Sequence, residues 1–549
     1  MLIKRKKGFT LIELLAVIVI LAIIMAIVTP VILKSINTAK KEAFKNSVYG
    51  IIKAAEFNYA NQLLMTNNIE EIKYKYNNGM EISPPNSNKL EYKGTLPQNG
   101  TVIINKKGAI ALAFHDGKYC IEKDYESDDL IITEKGLDNC QLDIIIYYTD
   151  ASGANSPRLL KGMEPVVWSK EEGDVDYADG EWIEPSNIDD PDTQDWFDYG
   201  NKKWANAKTV DGSYWVWIPR YAYSITSGYH TNIAGTIDIV FLQETSDEPR
   251  IELEEFLLEP SPTYDDNDEV QTNYVVHPAF NFSNDPINSP NQIEGFWVAK
   301  FEASEENNQI KSLPFKTSLV SRTVSEFFDL GLGMIGYICG EQCDDGTDTH
   351  MIKNTEWGAV AYLSRSQYGN PNEIWKNAYS SSSKYMTGCA GSSVNASSSS
   401  TCVEWYTENG QRASTTGNVY GVYDMRGGAR EYVAAYVNNS HGNLTTNGSS
   451  ILNADNKYKD VYSTGTPDTA PNNYLKTIDR YGDAIWETSS SGSGSTAWHT
   501  ATSSFVCSSG PWLIRGGYAG GSGAGVFYFI SNSGSSTSGH SFRPVALLP

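Results

Sequence analysis

The chain has 549 residues, of which 40% are hydrophobic, so it can form two or more folded units, each with its own core. It has 43 Lys and Arg residues against 66 Asp and Glu residues, a formal net charge of −23. A surface this acidic repels nucleic acid and anionic lipid headgroups, which excludes a DNA- or RNA-binding role.

The N-terminus combines a basic start with a long apolar run. Four cations occupy positions 4–7, and from Phe9 to Leu33 the single charged residue is Glu13. The uncharged part, residues 14–33, would be about 30 Å long as a helix and would cross a bilayer core with its N-terminus in the cytoplasm. A signal peptide or plain signal anchor fits less well, because no small-x-small cleavage site follows the run. A carboxylate at Glu13 would also cost roughly 2–3 kcal/mol or more in hydrocarbon.

These residues resemble the prepilin family, which is marked by a basic leader that ends in Gly and is followed by F-T-L-I-E. The matching residues are Gly8, Phe9, Thr10, Leu11, Ile12 and Glu13. The resemblance implies that a prepilin peptidase removes residues 1–8 by cutting between Gly8 and Phe9, and that the new Phe9 amine is methylated. It also implies an assembly role for Glu13, whose carboxylate would neutralise the N-terminal cation of a neighbouring subunit.

Residues 9–65 are predicted to form one transmembrane and assembly helix. Beyond the membrane, apolar residues recur every three or four positions, which predicts one buried face. This stripe includes Phe44, Val48, Ile51, Ala55 and Tyr59. Pro30 and Gly50 are the expected places for a bend or local unwinding.

Residues 66–150 are predicted to form a small β head. Short β-prone segments separated by Gly, Asn and Asp turns are typical of an antiparallel meander. They lie at 90–93, 101–105, 109–115, 118–123 and 130–134. A helix followed by such a sheet is also what the resemblance to pilins implies.

The seven cysteines allow up to three disulfides, with one thiol left over. Cys120 and Cys140 are the only cysteines of the small head and form either a disulfide or two buried thiols. Cys389 and Cys402 bracket one loop of the following region, and Cys339 and Cys343 bracket a shorter one. Closing the longer of these two loops would stabilise the fold by about 3 kcal/mol.

Residues 164–198 are strongly acidic, with thirteen Asp or Glu residues and a single Lys. The stretch at 174–180 is similar to a calcium loop, but Asp179 stands where the sharp turn needs Gly and Pro185 where the bidentate Glu should be. We therefore predict a solvated acidic face with tryptophan anchors. The anchors in and next to this segment are Trp168, Trp182, Trp196 and Trp204.

Five motifs across about 215–549 resemble the formylglycine-generating-enzyme-like, or sulfatase-modifying-factor, family, and they occur in that family's order. They are GFWVAKFEAS at 295–304, NTEWGAVAYL at 354–363, GNVYGVYDMRGGAREYV at 417–433, LIRGGYAG at 513–520 and the terminal SFRPVALLP. The resemblance implies a C-type-lectin-like domain over 157–549, mixed α/β and rich in irregular loops, with 157–214 as its lead-in. The whole chain is thus predicted to be α+β.

The residues that carry chemistry in that family are not matched. Formylglycine-forming members bind copper with two cysteines before the final F-R, but residues 516–542 contain none, and Cys507 stands alone. Ergothioneine-type relatives hold iron with a histidine cluster, whereas the seven histidines here form no H-x-H or H-x3-H pair. The family's calcium stretch, G-N-x-W-E-W, keeps Glu431 but has Gly428 in place of Asn, so no calcium ligand is assigned. We expect no catalysis, no metal and no cofactor.

Residues 516–542, called here the terminal segment, combine small and hydroxyl residues with aromatic residues. Tyr and Phe supply rigid contact area, while Ser, Asn and Gly supply adaptable hydrogen bonds, as in antibody paratopes. An ordinary glycine-rich loop that closes the fold is the alternative. In some members of the family this segment faces the ligand. Six residues are predicted to face outward and bind: Tyr518, Tyr528, Asn532, Ser535, Thr537 and His540. Arg515 and Arg543 are expected to fix the segment's ends.

The sequence favours a minor type IV pilin-like or pseudopilin subunit that polymerises through its helix and displays a non-catalytic adhesion domain. A major subunit is less favoured, because a domain of several hundred residues would crowd every position along a shaft. Expected partners are other pilin subunits, a prepilin peptidase, the pilus assembly platform and an extracellular ligand. The expected location is the bacterial cytoplasmic membrane, crossed once, and then a surface filament. Two alternatives remain: a membrane-anchored oxidase of the sulfatase-modifying type, and a surface receptor that uses the leader only for insertion.

Overall fold

The computed structural model describes residues 11–65, 72–82, 89–104, 108–123, 125, 130–134, 140, 150–169, 181–186, 194–251, 253, 256–265, 270–281, 292–340, 343, 346–382 and 384–548. The chain divides into two compact units, Met1–Ile145 and Ile146–Pro549, and its architecture is α+β. Over these ranges, no helix combines the length and the apolar character of a membrane span.

The smaller unit begins with one helix, α1, which spans Leu11–Met65. The helix is uninterrupted at Pro30 and Gly50, so the predicted local unwinding is not observed. At Gly50 the helix backbone packs closely against the segment that contains Lys93. A Cβ at this position would lie 3.3 Å from the Lys93 carbonyl oxygen.

A six-stranded antiparallel sheet follows the helix. Its strands are β1 Ile72–Asn77, β2 Met80–Ile82, β3 Asn99–Ile104, β4 Ile110–His115, β5 Cys120–Lys123 and β6 Ile131–Thr133. Their order is β2-β1-β3-β4-β5-β6. The predicted segments 101–105, 109–115, 118–123 and 130–134 are confirmed as strands β3 to β6. The prediction of a strand at 90–93 is wrong, and β1 and β2 were missed.

The core of this unit lies between α1 and the sheet. On the helix, the buried residues are Phe44, Val48, Ile51 and Ala55. The sheet contributes a set of large apolar and aromatic residues: Ile72, Tyr74, Tyr76, Val102, Ile104, Ile110, Leu112, Phe114 and Ile121. The predicted apolar stripe is therefore the face on which the helix packs.

The larger unit contains four helices and twenty-three strands over its described residues. The helices are α2 Val324–Gly333, α3 Asn354–Ser364, α4 Gly442–Asn453 and α5 Ala470–Leu475. The strands are β7 Glu164–Ser169, β8 Glu181–Ile183, β9 Asn206–Lys208, β10 Tyr214–Pro219, β11 Tyr221–Ser227, β12 Thr236–Phe241, β13 Val275–Val276, β14 Gly295–Ala299, β15 Ala303–Glu306, β16 Gln309–Ser312, β17 Asp348–Met351, β18 Ser380–Ser381, β19 Lys384–Tyr385, β20 Cys389–Ala390, β21 Val403–Glu404, β22 Arg430–Asn438, β23 Asp460–Ser463, β24 Ser493–Ala497, β25 Ala501–Ser504, β26 Trp512–Arg515, β27 Phe529–Asn532, β28 His540–Phe542 and β29 Pro544–Leu547.

Two larger sheets organise this unit. One has the order β17-β29-β14-β10-β9-β7-β8, with the last strand of the chain between β14 and β17. The other has the order β23-β22-β26-β27-β25-β24, and β28 pairs in parallel with the first three residues of β22. The terminal segment leaves the second sheet after β26 and re-enters it through β27 and β28.

Tryptophans and arginines dominate the buried side chains of the larger unit. Trp196 and Trp204 have no exposed surface, while Trp168 and Trp182 pack at the edge of an aromatic cluster around Trp405. These four side chains thus act as anchors. The calcium-like stretch 174–180 lies outside the described residues.

The three predicted cysteine pairs are disulfide-bonded in the structure. They are Cys120–Cys140, Cys339–Cys343 and Cys389–Cys402. Cys507 is the free cysteine.

Candidate functional site

The N-terminal processing site cannot be placed structurally. Gly8 and Phe9 lie outside the described residues. Glu13 lies in α1, and its side chain also falls outside the described part of the chain.

Two buried arginines hold the ends of the terminal segment, as predicted. Arg515, at the end of β26, donates to Asn354 Oδ1 at 3.2 Å and to the carbonyls of residues 483 and 484 at 3.3 and 3.2 Å. Arg543, between β28 and β29, makes two hydrogen bonds to the Glu431 carboxylate at 2.6 and 3.0 Å. It also donates to the Tyr423 carbonyl at 2.9 Å. Because both guanidinium groups are internal, these residues are framework.

The first part of the terminal segment is tied to the rest of the fold by backbone contacts. The Ala519 amide donates to the Gly428 carbonyl at 3.0 Å, and the Lys376 ammonium donates to the Gly521 carbonyl at 2.9 Å. The turn at Gly517 has a φ of +82°, and a Cβ there would lie 2.5 Å from Ala524. Only glycine fits this left-handed turn without displacing its neighbour. The segment is therefore a shaped surface held on a scaffold.

The six predicted contact residues are not all exposed. Tyr518 is 36% exposed, and three others are half-buried: Asn532, Ser535 and Thr537. The outward placement of Tyr528 and His540 is wrong, since they are 5% and 4% exposed.

Each of the two errors has a local cause. Tyr528 precedes β27, and its amide closes a turn onto the Gly525 carbonyl at 3.0 Å, so strand alternation does not apply to it. His540 begins β28 beside Arg430, and its ring packs edge-on against Tyr432 with a centroid distance of 5.0 Å. Both side chains are therefore turned into the fold.

Arg430, which was not among the residues predicted from the sequence, lies at the centre of three residues that were. Its guanidinium lies 4.3 Å from the ring centroid of Tyr518. It also forms a side-chain hydrogen bond with Tyr528. Burial raises the pKa of Tyr528, while the charge of Arg430 and this hydrogen bond act to lower it. Arg430 and His540 are register partners in the parallel pairing of β22 and β28.

A further residue, Tyr385, completes this group, and we call Tyr385, Arg430, Tyr518, Tyr528 and His540 the arginine–tyrosine cluster. A Cβ built at Gly539 would lie 3.6 Å from the Tyr385 hydroxyl, which places that hydroxyl against the terminal segment. Burial and then the Glu302 carboxylate raise the pKa of Tyr385, while Arg430 opposes them. Burial, and then Arg430, lower the pKa of His540 to about 4. At neutral pH the cluster therefore carries one positive charge, on Arg430.

Two more predicted residues hold the neighbouring turn. The Tyr432 hydroxyl lies 2.5 Å from Asn532 Oδ1, 3.1 Å from the Ser535 carbonyl and 3.2 Å from His540 Nδ1. Asn532 Oδ1 also accepts from the Gly534 amide at 2.9 Å. Asn532 and Ser535 thus shape the rim beside the cluster.

Thr537 has a similar structural task, since its carbonyl accepts from the Ser321 amide at 2.8 Å. The rim of the cluster is therefore tied to the loop that precedes α2.

A separate, narrow cleft lies against residues 525–527 of the terminal segment. It is lined by Arg365, Arg426 and His499 among others. Arg426 pairs with Glu373 at 2.5 Å, and Arg365 donates to the Gly235 carbonyl at 2.8 Å. Burial, and then Arg365 and Arg426, lower the pKa of His499 to about 4. The cleft thus offers a neutral imidazole between arginines that already have partners.

Among the described residues, no group of three or more His, Cys, Asp or Glu side chains is arranged to hold a metal ion. Burial raises the pKa of the Cys507 thiol, which disfavours the reactive thiolate. At Gly428, where the family's calcium stretch has Asn, a Cβ would lie 2.5 Å from Glu302 Oε1, so this backbone leaves no room for an Asn side chain.

A sequence signal for Arg430 was present. It is the one charged residue besides Glu431 in the GGAREYV stretch. Its stacking partner Tyr518 is far away in the sequence, and only the pairing of β22 with β28 brings the terminal segment beside it.

Comparison with known proteins gives one family match. Residues 3–29 match the prokaryotic N-terminal methylation motif. No curated protein matches the chain. The match supports a type IV prepilin-like leader, and it fits a protein of the type IV pilin or pseudopilin kind. Such a leader implies, in general, other pilin subunits and a prepilin peptidase as partners.

Proposed function

We propose that this chain is a minor type IV pilin-like or pseudopilin subunit. It polymerises through its N-terminal helix and displays the larger unit as a non-catalytic binding domain. The observation that carries the proposal is the methylation motif at 3–29, which leads directly into α1. The packing of the lower part of α1 on a small antiparallel sheet supports it, since a pilin subunit needs a helix attached to a head.

The binding role belongs to the terminal segment. Its ends are fixed by Arg515 and Arg543, and its backbone is pinned between them. Binding residues are often carried by loops on such a rigid scaffold, where side chains can change without disturbing the core. The five motifs in family order support a C-type-lectin-like fold for this unit.

The domain acts by binding and not by catalysis. The free thiol Cys507 stands alone, and the terminal segment has no cysteine. We therefore assign no cofactor. The chain resides in the cytoplasmic membrane before assembly and on a surface filament afterwards, where its partners are other pilin subunits, the assembly platform and an extracellular ligand.

The leader tests the first half of this proposal. In cells with an active prepilin peptidase, mass spectrometry should find a mature N-terminus at a methylated Phe9. Gly8→Phe should block this cleavage and leave the precursor in the membrane, whereas Lys4→Ala, which leaves the cleavage site intact, should still be processed. An intact leader, or cleavage beyond Thr29, would contradict the proposal.

Sheared surface filaments test the second half. If the chain polymerises, the mature chain should be recovered in the sheared fraction together with the major pilin. Recovery of the mature chain in the membrane fraction alone would favour the non-polymerising receptor. Stoichiometric copper in the purified chain would favour the oxidase.

A further inference from the structure

Arg430 differs from three other arginines of the larger unit in having no anionic partner. Arg220, Arg426 and Arg543 each lie 2.5–2.7 Å from a carboxylate. No carboxylate lies within ion-pair distance of Arg430 among the described residues, and its Nε is buried without a hydrogen-bond partner there. Arg430 is only half-buried, so the terminal nitrogens of its guanidinium can still meet an acceptor outside the fold.

The guanidinium is also held in place before any ligand arrives. It stacks at 4.3 Å on Tyr518, and the Arg430 amide donates to the Gly539 carbonyl at 2.9 Å. A stacked guanidinium keeps its planar fork available at its edge, and that fork matches a carboxylate bidentately. Because the side chain is already ordered, binding loses little further conformational entropy.

The surroundings of Arg430 favour a hydroxylated anion. Hydroxyl groups of Tyr385 and Tyr528 lie in the same cluster, and the lowered pKa of His540 keeps its imidazole neutral beside Arg430.

The shape of the rim favours a sugar. Tyr518 leaves 36% of its surface exposed, and its ring edges border Gly520 and Gly521, where a Cβ would come within 3.1 Å of the ring. The surface is therefore shallow, with an aromatic ring, small residues and hydroxyl groups. A pyranose offers an apolar C–H face to a ring and hydroxyl groups to the phenols.

We propose that the arginine–tyrosine cluster binds a sugar acid, whose carboxylate pairs with Arg430 and whose ring rests against Tyr518. This assignment rests on the proposed binding function and names its ligand class. Neutral sugars would lack the ion pair, and simple anions would lack the ring contact.

The test measures binding of defined probes to the purified full-length chain in detergent. Isothermal titration would compare glucuronate, galacturonate and N-acetylneuraminate oligosaccharides with their neutral counterparts, and with inorganic phosphate and an acidic peptide. The sugar acids should bind most tightly. Loss of one charge-assisted pair should weaken this binding about 10- to 100-fold in Arg430→Gln. Arg430→Lys keeps the positive charge but not the planar pair of donors, so this variant should retain part of the sugar-acid binding.

A matched control comes from a second stacked arginine. Arg412 lies 5.1 Å from the Trp375 ring and is not part of the arginine–tyrosine cluster. Arg412→Gln should leave sugar-acid binding unchanged. Tryptophan fluorescence melting should show that both variants remain folded.

Three results would overturn the assignment. They are equal binding of sugar acids by the wild type and the folded Arg430→Gln variant, equal binding of neutral and acidic sugars, and tighter binding of phosphate or the acidic peptide. Absence of binding to every probe would do the same. Processing at Phe9 and recovery in sheared filaments are measured separately, so the pilin proposal stands or falls without this result.

Discussion

At the residue scale, the strongest electrostatic coupling in the larger unit surrounds His350 in β17. Its Nδ1 lies 2.9 Å from Asp348 Oδ1, and its Nε2 lies 3.0 Å from Glu356 Oε1. The side chain has no exposed surface. Burial alone lowers the pKa of His350, but Glu356 and Asp348 outweigh burial and raise it to about 9. The imidazolium is therefore present at neutral pH as the centre of a buried ionic group.

This arrangement predicts a loss of stability at alkaline pH. Because the folded pKa of His350 exceeds its ordinary value of 6.5, the stabilisation is complete below pH 6.5 and is lost as pH rises through about 9. The difference in pKa corresponds to about 3 kcal/mol. All 13 tryptophans lie in the larger unit, so fluorescence-monitored unfolding reports on it.

His350→Gln is the comparison for this prediction. The variant should be less stable at pH 7 and should show a smaller decline in unfolding free energy between pH 7 and 10 than the wild type. Parallel declines in the two proteins would show that His350 does not carry the effect.

Residue roles were predictable from sequence where the role depends on near neighbours. Arg515 and Arg543 flank the terminal segment, and both proved to be framework. Exposure was harder to predict, because it depends on which turn the chain takes. Tyr528 and His540 were predicted to face outward as parts of a binding loop, yet one lies in a turn and the other packs against Tyr432.

At the element scale, the apolar stripe of α1 correctly gave the face that packs on the sheet, since helical spacing alone puts Phe44, Val48 and Ile51 on one side. The β1–β2 hairpin was missed, although IKYKYN alternates clearly. Its tyrosines at 74 and 76 are buried and its lysines point away. The false strand at 90–93 contains Leu90, which is buried without pairing in the sheet.

The packing of helix α4 can be tested at Gly448, which lies at a kink within the helix with φ −137° and ψ 27°. Because this backbone is not helical, an alanine gains no helical propensity there. A Cβ at this position would lie 1.9 Å from Cζ2 of the Trp512 ring, which is fully buried. Gly448→Ala should therefore lower the free energy of unfolding by about 1–3 kcal/mol, measured by tryptophan fluorescence.

The same helix contains the control. A Cβ at Gly442 meets nothing within 4 Å. Gly442→Ala should therefore change stability by no more than about 0.5 kcal/mol. If Gly448→Ala were as stable as the wild type, α4 would not be held tightly against Trp512.

At the scale of the whole molecule, the two halves of the proposed function are encoded differently. The leader is a short linear motif, so the sequence alone reveals it, and the family match at 3–29 supports it. The proposed binding face is assembled from β19, β22, β28 and the loop after β26. Its centre, Arg430, acquires its role only through tertiary contacts. Local sequence motifs could therefore identify the terminal segment, but they could not identify Arg430 as its neighbour in the fold.

This separation predicts that assembly and capture can be lost independently. Glu13→Ala removes the carboxylate that the prepilin motif assigns to the Phe9 amine of a neighbour, so the variant should enter the membrane at least as well as the wild type. It should nevertheless be strongly depleted from sheared filaments, as measured by quantitative immunoblotting of the sheared and membrane fractions.

Glu42→Ala removes an exposed carboxylate from the same helix and should assemble normally. Arg430→Gln should show the opposite pattern, with normal assembly and weakened binding of sugar acids. Normal filament entry of Glu13→Ala, or equal depletion of Glu42→Ala, would show that the helix does not assemble through this charge pair.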